Sequence, residues 1–529
     1  MSSTFGSFST VRLGIYAAQK GLDVTGNNIT NINTNGYTRQ RLDQVSLVSS
    51  VSDRYYSSYN TRIGQGVVVN GVSQLRDPGL DISYRRAQSD VGAANGKLEG
   101  LNDLAGILDE VGKGDGEQDD GVILNQLNDL RDLISQAVTN GIEEYNSLIR
   151  ASAKSLTDLF NQYAKDLNEL VGKYETKLKD QVDTVNTILA GIRELNVSIR
   201  SADIRGDEAL ELRDQRNLLL DQLSQYVKID VSYSMDPAGA DLEVETLHIK
   251  LAGSNTELLS GEYAAELTNG GAPGYEMSLS ELKNAEGRVM KGSTKQPLGD
   301  TALYGSLQSV REMLTEEGEY ASAADIAGDK NAATKRGIPY YQHALDALAR
   351  EFAEAMNALN QGTVDGAGNL FSNSSSGDDA ANITAANISI SKSWSNDTVS
   401  MLATTDPSAP SGDTSNLAKF LDVFGQAHDF LPRDIVADAD SIDPYSGTFE
   451  DMLLRIESTL AEDQMTTTAV LTNYATTADE IYMDRDGVMG VDLNDEATSL
   501  MTYQKAYTAA CRLLTVLEEA LDSLINGTV

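Results

Sequence analysis

Both ends of the chain carry apolar residues at alternating steps of three and four positions. The N-terminal set is Phe8, Val11, Ile15, Ala18, Leu22, Thr25, Ile29 and Ile32, of which all but the threonine are apolar. The C-terminal set has the same spacing and is Leu500, Tyr503, Tyr507, Ala510, Leu514, Leu517, Leu521 and Leu524. This spacing predicts a helix at each end with one narrow apolar stripe, as is typical of coiled coils.

Each terminal stripe needs a partner helix, because a lone helix cannot bury its own apolar face. The partner is either the opposite end of the same chain, within an ordinary bundle, or a helix of a neighbouring copy. Periodicity alone favours the bundle. The N-terminal stretch also contains Gly6, Gly14, Gly21 and Gly26, and each glycine in a helix interior costs about 1 kcal/mol relative to alanine. We therefore expect the terminal helices to depend on packing and to order when copies assemble.

Two further patterns predict the middle of the chain. Helical periodicity runs from 122 to 226 and predicts a long helical hairpin or rod. Its seam consists of Leu178, Val182, Val185, Leu189, Ile192 and Ile199, with polar Asn196 at one seam position. From 228 onward the apolar residues alternate with a period of two, which predicts a small β-rich insertion before helical patterns return at 303.

These patterns predict a mainly α fold with a β-rich insertion. We assign residues 1–50 and 485–529 to a terminal, coiled-coil-like assembly domain, which begins its last helix near Leu493 after a break at Gly487 and Gly490. Residues 51–227 and 303–484 form a helical core domain, and 228–302 form an outer β-rich insertion. Within the core domain, residues 362–447 are rich in Ser, Asn, Asp and Gly and are predicted to be a variable, exposed segment.

The composition excludes several classes of function. The 529 residues include 79 acidic and 41 basic side chains, a formal charge of −38, which opposes binding to nucleic acids and anionic membranes. Cys511 is the only cysteine, so no disulfide forms within the chain. No apolar run has the length of a membrane span, and the first 14 residues lack a signal-peptide pattern. We expect a soluble protein that stays in the cytoplasm or is exported without a cleaved signal.

No set of residues has the spacing of a catalytic or metal site. His248, His343 and His428 are scattered along the chain, without neighbouring ligands at zinc-binding distances. The acidic loop at 484–489 fails the calcium-binding pattern, because Val488 and Met489 stand where a third ligand and a glycine are required. We therefore predict no catalytic residue, no metal and no cofactor.

Two terminal motifs resemble the signatures of bacterial flagellar rod, hook and hook-associated proteins. The first comprises Gly21-Leu22, Asn27-Asn28-Ile29, Asn31, Asn33-Thr34 and Gly36-Tyr37-Thr38-Arg39. The second comprises Gly490-Val491-Asp492-Leu493, Asp495-Glu496-Ala497, Leu500, Tyr503-Gln504, Ala506-Tyr507 and Ala509. One departure is Asn35, which replaces the usual proline, although asparagine also accepts turn geometry.

Internal motifs are similar to those of the hook-associated protein 1 family. They include Gly64-Gln65-Gly66-Val67, Arg76-Asp77, Leu80-Asp81, Tyr84-Arg85, Leu212-Arg213-Asp214-Gln215-Arg216, Leu219-Leu220-Asp221 and Ile338-Pro339-Tyr340-Tyr341. The resemblance covers nearly the whole chain and fades in the β-rich insertion and in residues 362–447.

The resemblance implies a structural protein without catalytic activity, exported unfolded by the flagellar type III pathway and assembled outside the cell between hook and filament. It implies that the two terminal stripes form the assembly interface. The implied partners are further copies of the chain, the hook protein, hook-associated protein 3 and an export chaperone that binds the C-terminal region. Nucleic acid and membrane are not among them.

Two other classes of function remain as alternatives. An acidic extracellular adhesin or surface-binding protein, using the β-rich insertion, would explain the charge of −38 but neither terminal motif. An enzyme would need a constellation of histidines or acids that the sequence does not offer.

Overall fold

Long helices dominate the computed structural model, which describes residues 4–47, 66–108, 121–239, 242–410, 412–430 and 445–526. The helices in chain order are α1 (Thr4–Thr30), α2 (Pro78–Leu108), α3 (Val122–Asn140), α4 (Ile142–Ile204), α5 (Leu210–Tyr226), α6 (Gly305–Thr315), α7 (Ala323–Gly328), α8 (Ile338–Leu359), α9 (Lys392–Ser395), α10 (Ser415–Gly425), α11 (Phe449–Met489) and α12 (Leu493–Asn526). The proposed boundary at residue 50 lies outside the described residues.

The strands are short and form several separate antiparallel sheets. In chain order they are β1 (Gln40–Ser46), β2 (Val67–Gln74), β3 (Ile229–Gly239), β4 (Leu242–Leu251), β5 (Glu257–Ser260), β6 (Tyr263–Ala264), β7 (Leu267–Asn269), β8 (Met277–Leu279), β9 (Gln296–Pro297), β10 (Phe371–Ser372), β11 (Ser389–Ile390), β12 (His428–Phe430) and β13 (Tyr445–Gly447). β1 pairs with β2 after the first helix, and β3-β4-β5-β6 and β7-β8-β9 lie inside the predicted insertion. The prediction of a mainly α fold with a β-rich insertion is confirmed.

The 63-residue helix α4 is the axis of the core. α3 folds back onto it through Gly141, whose φ of +98° is one that glycine adopts without strain. The seam residues predicted from sequence are all buried along α4. At the polar seam position, the Asn196 amide donates to the Gly261 carbonyl at 2.9 Å and accepts from Arg216 at 3.2 Å. A polar residue inside the seam thus fixes the insertion and α5 against α4.

The β-rich insertion packs one face of its larger sheet on α4. Along β4, Leu247, Ile249 and Leu251 are buried, whereas the alternate residues His248 and Lys250 are partly exposed. This alternation is the period-two pattern of a half-buried sheet.

The prediction that residues 362–447 are exposed is wrong for the apolar side chains of this segment. Phe371, Ile388, Trp394 and Phe420 are almost fully buried. The buried side chain of Asn357 holds the segment, because its carbonyl accepts the backbone N–H groups of Leu370 and Phe371, both at 2.8 Å. Residues 411 and 431–444 of this segment lie outside the described residues.

Two helix boundaries also differ from the sequence expectation. α11 continues through Gly487 and ends at Met489, so that residues 490–492 separate it from α12. The helical stretch expected from 303 to 359 is interrupted between α6 and α8 by the short helix α7 and irregular chain. Gly487 does not end α11, because a single glycine in an otherwise continuous helix costs too little to break it.

Candidate assembly interface

The structure brings the two terminal helices together as an antiparallel pair. Gly21 on α1 meets Tyr503 on α12, and the segment after α1 reaches Glu496 at the start of α12, where Arg39 donates to its carboxylate at 2.7 Å. Each predicted terminal stripe therefore finds a partner within the same chain.

The closest approach of the pair depends on one glycine. A Cβ added at Gly21 would lie 2.5 Å from Cδ1 and Cε1 of the Tyr503 ring, closer than carbon atoms pack. By contrast, a Cβ at Gly14 or Gly26 would meet no atom within 4 Å. Only one of these three helix-weakening glycines is thus explained by contacts inside the chain.

On α1, the buried face is rotated away from the predicted stripe. Val11 and Ala18 are buried as expected, whereas Ile32 lies in the turn beyond the helix and is exposed. The larger apolar residues of the stripe are only half-buried, and these are Phe8, Ile15, Leu22 and Ile29. Thr25 of the stripe is buried too, and the face against the rest of the chain is completed by residues outside the stripe, which are Ala17, Gly21, Val24 and Asn28.

The stripe on α12 is covered even less. Tyr503, Ala510, Leu514, Leu517 and Leu521 are half-buried. Leu500 is 36% exposed, Tyr507 37% and Leu524 66%. Within the described part of α12, Glu496 is the single fully buried residue.

A second apolar stripe lies on the side of α12 away from α1. Leu513 and Val516 are about half exposed, and Leu524 stands on the same side two turns further along. At the start of this side, the hydroxyls of Thr498 and Thr502 donate to carbonyls four residues earlier, at 2.9 and 2.8 Å. Their methyl groups then face outward, so the surface is more apolar than its sequence indicates.

The asparagine-rich motif after α1 forms a hydrogen-bonded turn around Asn28. Its buried amide donates to the carbonyl of Gln40 at 2.9 Å, and its side-chain oxygen accepts from the Gln40 N–H at 3.0 Å and from the Tyr37 hydroxyl at 2.8 Å. Arg39, which directly precedes Gln40, donates its backbone N–H to the Met489 carbonyl at the end of α11 at 2.8 Å. The motif therefore fixes the start of β1 and the junction between α11 and α12.

A buried cluster of ion pairs joins α11 to α2 and α5 beside the terminal pair. Arg485 of α11 lies 2.8 Å from Asp81 and 2.7 Å from Asp221, and Arg85 reaches the other oxygen of Asp221 at 2.8 Å. Arg76 binds Asp81 at 2.5 Å. Burial alone would raise the pKa of Asp81, but the hydrogen bond and charge of Arg76, with the charges of Arg485 and Arg85, hold it below its usual value.

Asp214 is the exception in this cluster. One carboxylate oxygen accepts the Thr38 N–H at 3.1 Å, and the other has no hydrogen-bond partner. Burial raises the pKa of Asp214 to about 6, although the bonds from Thr38 and the charge of Arg76 act in the opposite direction. The sequence alone predicts no role for these charged residues, although Asp81, Arg85, Asp214 and Asp221 all stand in the motifs on which the family resemblance depends.

Comparison with known proteins agrees with those motifs. The family model described as "Flagellar hook-associated protein FlgK helical domain" matches residues 116–373. Flagellar hook-associated protein 1 of Bacillus subtilis strain 168 is 28% identical over 538 residues, covering 100% of this chain and 99% of the relative. Over its whole length, this chain is similar to flagellar hook-associated protein 1.

A more distant relative matches over a similar length, and a solved structure matches over about half of the chain. Flagellar hook-associated protein 1 of Salmonella typhimurium strain LT2 is 22% identical over 592 residues, covering 97% of this chain and 98% of the relative. The solved structure of the flagellar hook junction protein FlgK from Burkholderia pseudomallei is 20% identical with a TM-score of 0.41, over 55% of this chain and 46% of that one.

The histidines of this chain are bound locally. His248 is hydrogen-bonded to Ser234, Ser260 and Glu257 on the outer face of the sheet. His428 contacts the Val423 carbonyl and stacks on Phe449, and His343 lies beside Tyr320. Among the described residues, no group of three or more His, Cys, Asp or Glu side chains is placed to hold a metal ion.

The described helices do not meet the requirements of a membrane span. None of them combines the necessary length with the necessary apolar character. The motif residues Gly64 and Gln65 lie outside the described part of the chain.

Proposed function

We propose that this chain is a structural subunit of the flagellum that joins hook to filament and that assembles through its terminal helices. The similarity of the whole chain to flagellar hook-associated protein 1 supports a role at the hook–filament junction. The observation that carries the assembly mechanism is the α1–α12 pair, which forms within one chain yet leaves much of both apolar stripes uncovered.

The uncovered residues supply a driving force for association. Fully burying a leucine or valine side chain stabilises a complex by about 1.5–3 kcal/mol. Leu513, Val516 and Leu524 on the outer side of α12 are each at least half exposed. Their burial between neighbouring copies would offset the entropy lost on ordering the helices.

Charge favours contact at the same place. Residues 4–47 contain four basic and two acidic side chains, and residues 491–526 contain two basic and six acidic ones. The terminal pair is therefore nearly neutral, while almost all of the −38 charge lies in the middle of the chain. Copies of the terminal pair can pack closely, because the electrostatic repulsion between two nearly neutral helix pairs is weak.

The partners that we propose follow from this position. Further copies cover the apolar faces of α1 and α12, with the hook protein on one side of the assembly and hook-associated protein 3 on the other. The exposed side of α12 offers an export chaperone an apolar surface before assembly, and the subunit reaches the flagellum by type III export without a cleaved signal. The assembly residues of the proposal are those of the two terminal stripes, together with Leu513 and Val516 of the second apolar stripe on α12.

The test is a complemented gene deletion in the host. Deletion should leave hooks without filaments and release flagellin into the medium, and the wild-type gene should restore filaments. The variant L513E/V516E should behave like the deletion, because it places charges in the second apolar stripe of α12, on the side away from α1. The matched control Q504E/T508E adds the same charge to another side of α12 and should restore filaments.

Misfolding must be separated from lost assembly in this test. Because Leu513 and Val516 are exposed in the single chain, the purified variant should keep wild-type helicity and unfolding behaviour. Normal filaments in the deletion strain would overturn the junction role. Filaments restored equally by L513E/V516E would overturn assembly through α12.

A further inference from the structure

Helix α11 contains an uncharged stretch that is unusual for this chain. Charged residues make up 23% of the sequence, yet the 15 residues from 464 to 478 include none, between Asp463 and Asp479. The stretch is about 20 Å long as a helix, and most of its side chains are exposed. An exposed helix surface normally carries charges, so their absence requires a reason.

The uncharged residues form a stripe on the side of α11 that points away from the rest of the molecule. In this part of α11 the buried residues are Thr467, Ala478 and Arg485, which share one side of the helix. The stripe stands opposite them. Within the uncharged stretch it consists of Met465, Ala469, Thr472 and Thr476, and Met483 continues it beyond Asp479. The two methionines at its ends are 74% and 72% exposed. We call this set the α11 outer stripe.

The threonines of the stripe present methyl groups. The hydroxyls of Thr472 and Thr476 donate to the carbonyls of Thr468 and Thr472, both at 2.8 Å. A hydroxyl that bonds to the preceding turn is directed along the helix, which leaves the γ-methyl toward solvent. The α11 outer stripe is therefore a run of thioether and methyl groups, although its sequence looks polar.

The spacing of the stripe matches that of the terminal stripes. Its members are separated by four, three, four and seven positions, and Asp479 occupies the one seam position that is skipped. A narrow apolar stripe with this repeat is complementary to another helix with the same repeat. Within the described residues, no helix covers it.

We propose that the α11 outer stripe binds a helix of a second copy of this chain. A second copy also carries a charge of −38, so that two core domains can touch without strong repulsion only where their surfaces are uncharged. α11 also leads directly into α12 through the short break at Gly490, and a neighbour held by α12 is therefore near α11. The inference rests on the proposed function and extends the contact between copies from the terminal helices to the core domain.

The contact can be mapped by photo-crosslinking in intact flagella. A benzophenone amino acid at position 472 should yield an adduct with twice the mass of the chain. The matched control is position 477, where Thr477 is also exposed and bonds to the preceding turn at 3.0 Å but stands to one side of the stripe. We expect adducts several-fold weaker there.

A charge variant tests whether the contact matters mechanically. T472E/T476E should fold like wild type, enter the flagellum and lose filaments several-fold faster under shear, whereas T466E/T477E should not. Equal adducts at both positions, an adduct with a different protein, or unchanged filament loss would overturn the contact while leaving the junction role intact. Absence of the chain from flagella would overturn the proposed function, and this contact with it.

Discussion

Helices α4 and α12 share one sequence pattern and differ in how it is used. Both repeat apolar residues at steps of three and four. Leu178 and Ile192 on α4 are completely buried, whereas Leu500 and Leu524 on α12 are 36% and 66% exposed. The spacing of apolar residues therefore identifies the face that must be buried, but not whether the chain itself buries it.

The difference follows from the number of neighbours. α4 is surrounded by α3, α5, α8 and the strands of the insertion, which together cover its seam. α12 has one main neighbour, α1, and the closest part of that contact is a tyrosine ring against a glycine. A helix with one partner buries one side at most, so the remaining apolar residues of α12 are available to other copies.

Truncation of a seam leucine should separate the two helices most clearly. We expect L178A on α4 to lower the free energy of unfolding of the free chain by about 2–5 kcal/mol, because it leaves a cavity in a closed core. L517A on α12 should cost less than about 1 kcal/mol, because its site is already partly hydrated. Urea unfolding followed by circular dichroism measures both values, and similar losses would contradict the comparison.

The two variants should rank in the opposite order when the attachment of filaments is measured. L517A should weaken attachment of filaments in the host, whereas L178A should permit attachment as long as enough folded chain is made. If L178A reduced attachment more than L517A at equal cellular levels, the terminal stripe would not be the assembly contact.

Much of the core could be predicted from local pattern. The seam of α4, including Asn196, and the position of the β-rich insertion follow from periods of 3.6 and two, which depend only on near neighbours in sequence. The burial of Phe371 and Trp394 could not be predicted in the same way. Their segment is rich in turn-forming residues, and its packing depends on tertiary contacts such as the backbone N–H groups of Leu370 and Phe371 that donate to the side chain of Asn357 on α8.

The details of the terminal pair were beyond the sequence for a similar reason. The face of α1 that is buried is decided by the fit of Tyr503 against Gly21, which favours small side chains over the larger ones of the predicted stripe. The ion cluster around Arg485 and Asp221 joins residues 264 positions apart. Neither feature has a periodic signal, since both depend on tertiary contacts.

Replacement of Asp214 should change how the free energy of unfolding of the chain depends on pH. Its pKa is about 6 in the folded chain, above the ordinary value of 3.8. Between these values the folded chain holds a proton that the unfolded chain has released, so the free energy of unfolding falls as pH rises from about 4 to about 6. One pKa unit corresponds to about 1.4 kcal/mol, so this group removes up to about 3 kcal/mol across the window.

The variant D214N should lack this contribution. We expect the free energy of unfolding of D214N to rise relative to that of the wild type by up to about 3 kcal/mol between pH 4 and pH 7. Urea unfolding at each pH measures this difference. The matched control is D180N, at an exposed position on α4, and it should follow the wild type throughout. A constant difference between D214N and wild type would show that the buried carboxyl does not titrate in this window.

The smallest effect distinguishes two glycines within α1. G14A should stabilise the helix by about 1 kcal/mol, because alanine is the better helix former and no atom lies within 4 Å of the added carbon. G21A gains the same propensity but drives the new carbon against the Tyr503 ring, which must move away from α1. Hydrogen exchange should therefore slow along α1 in G14A, and quicken around residue 503 of α12 in G21A. Equal slowing in both variants would mean that the contact between Gly21 and Tyr503 does not hold the terminal helices together in the free chain, and the partner of α12 would then have to come from another copy.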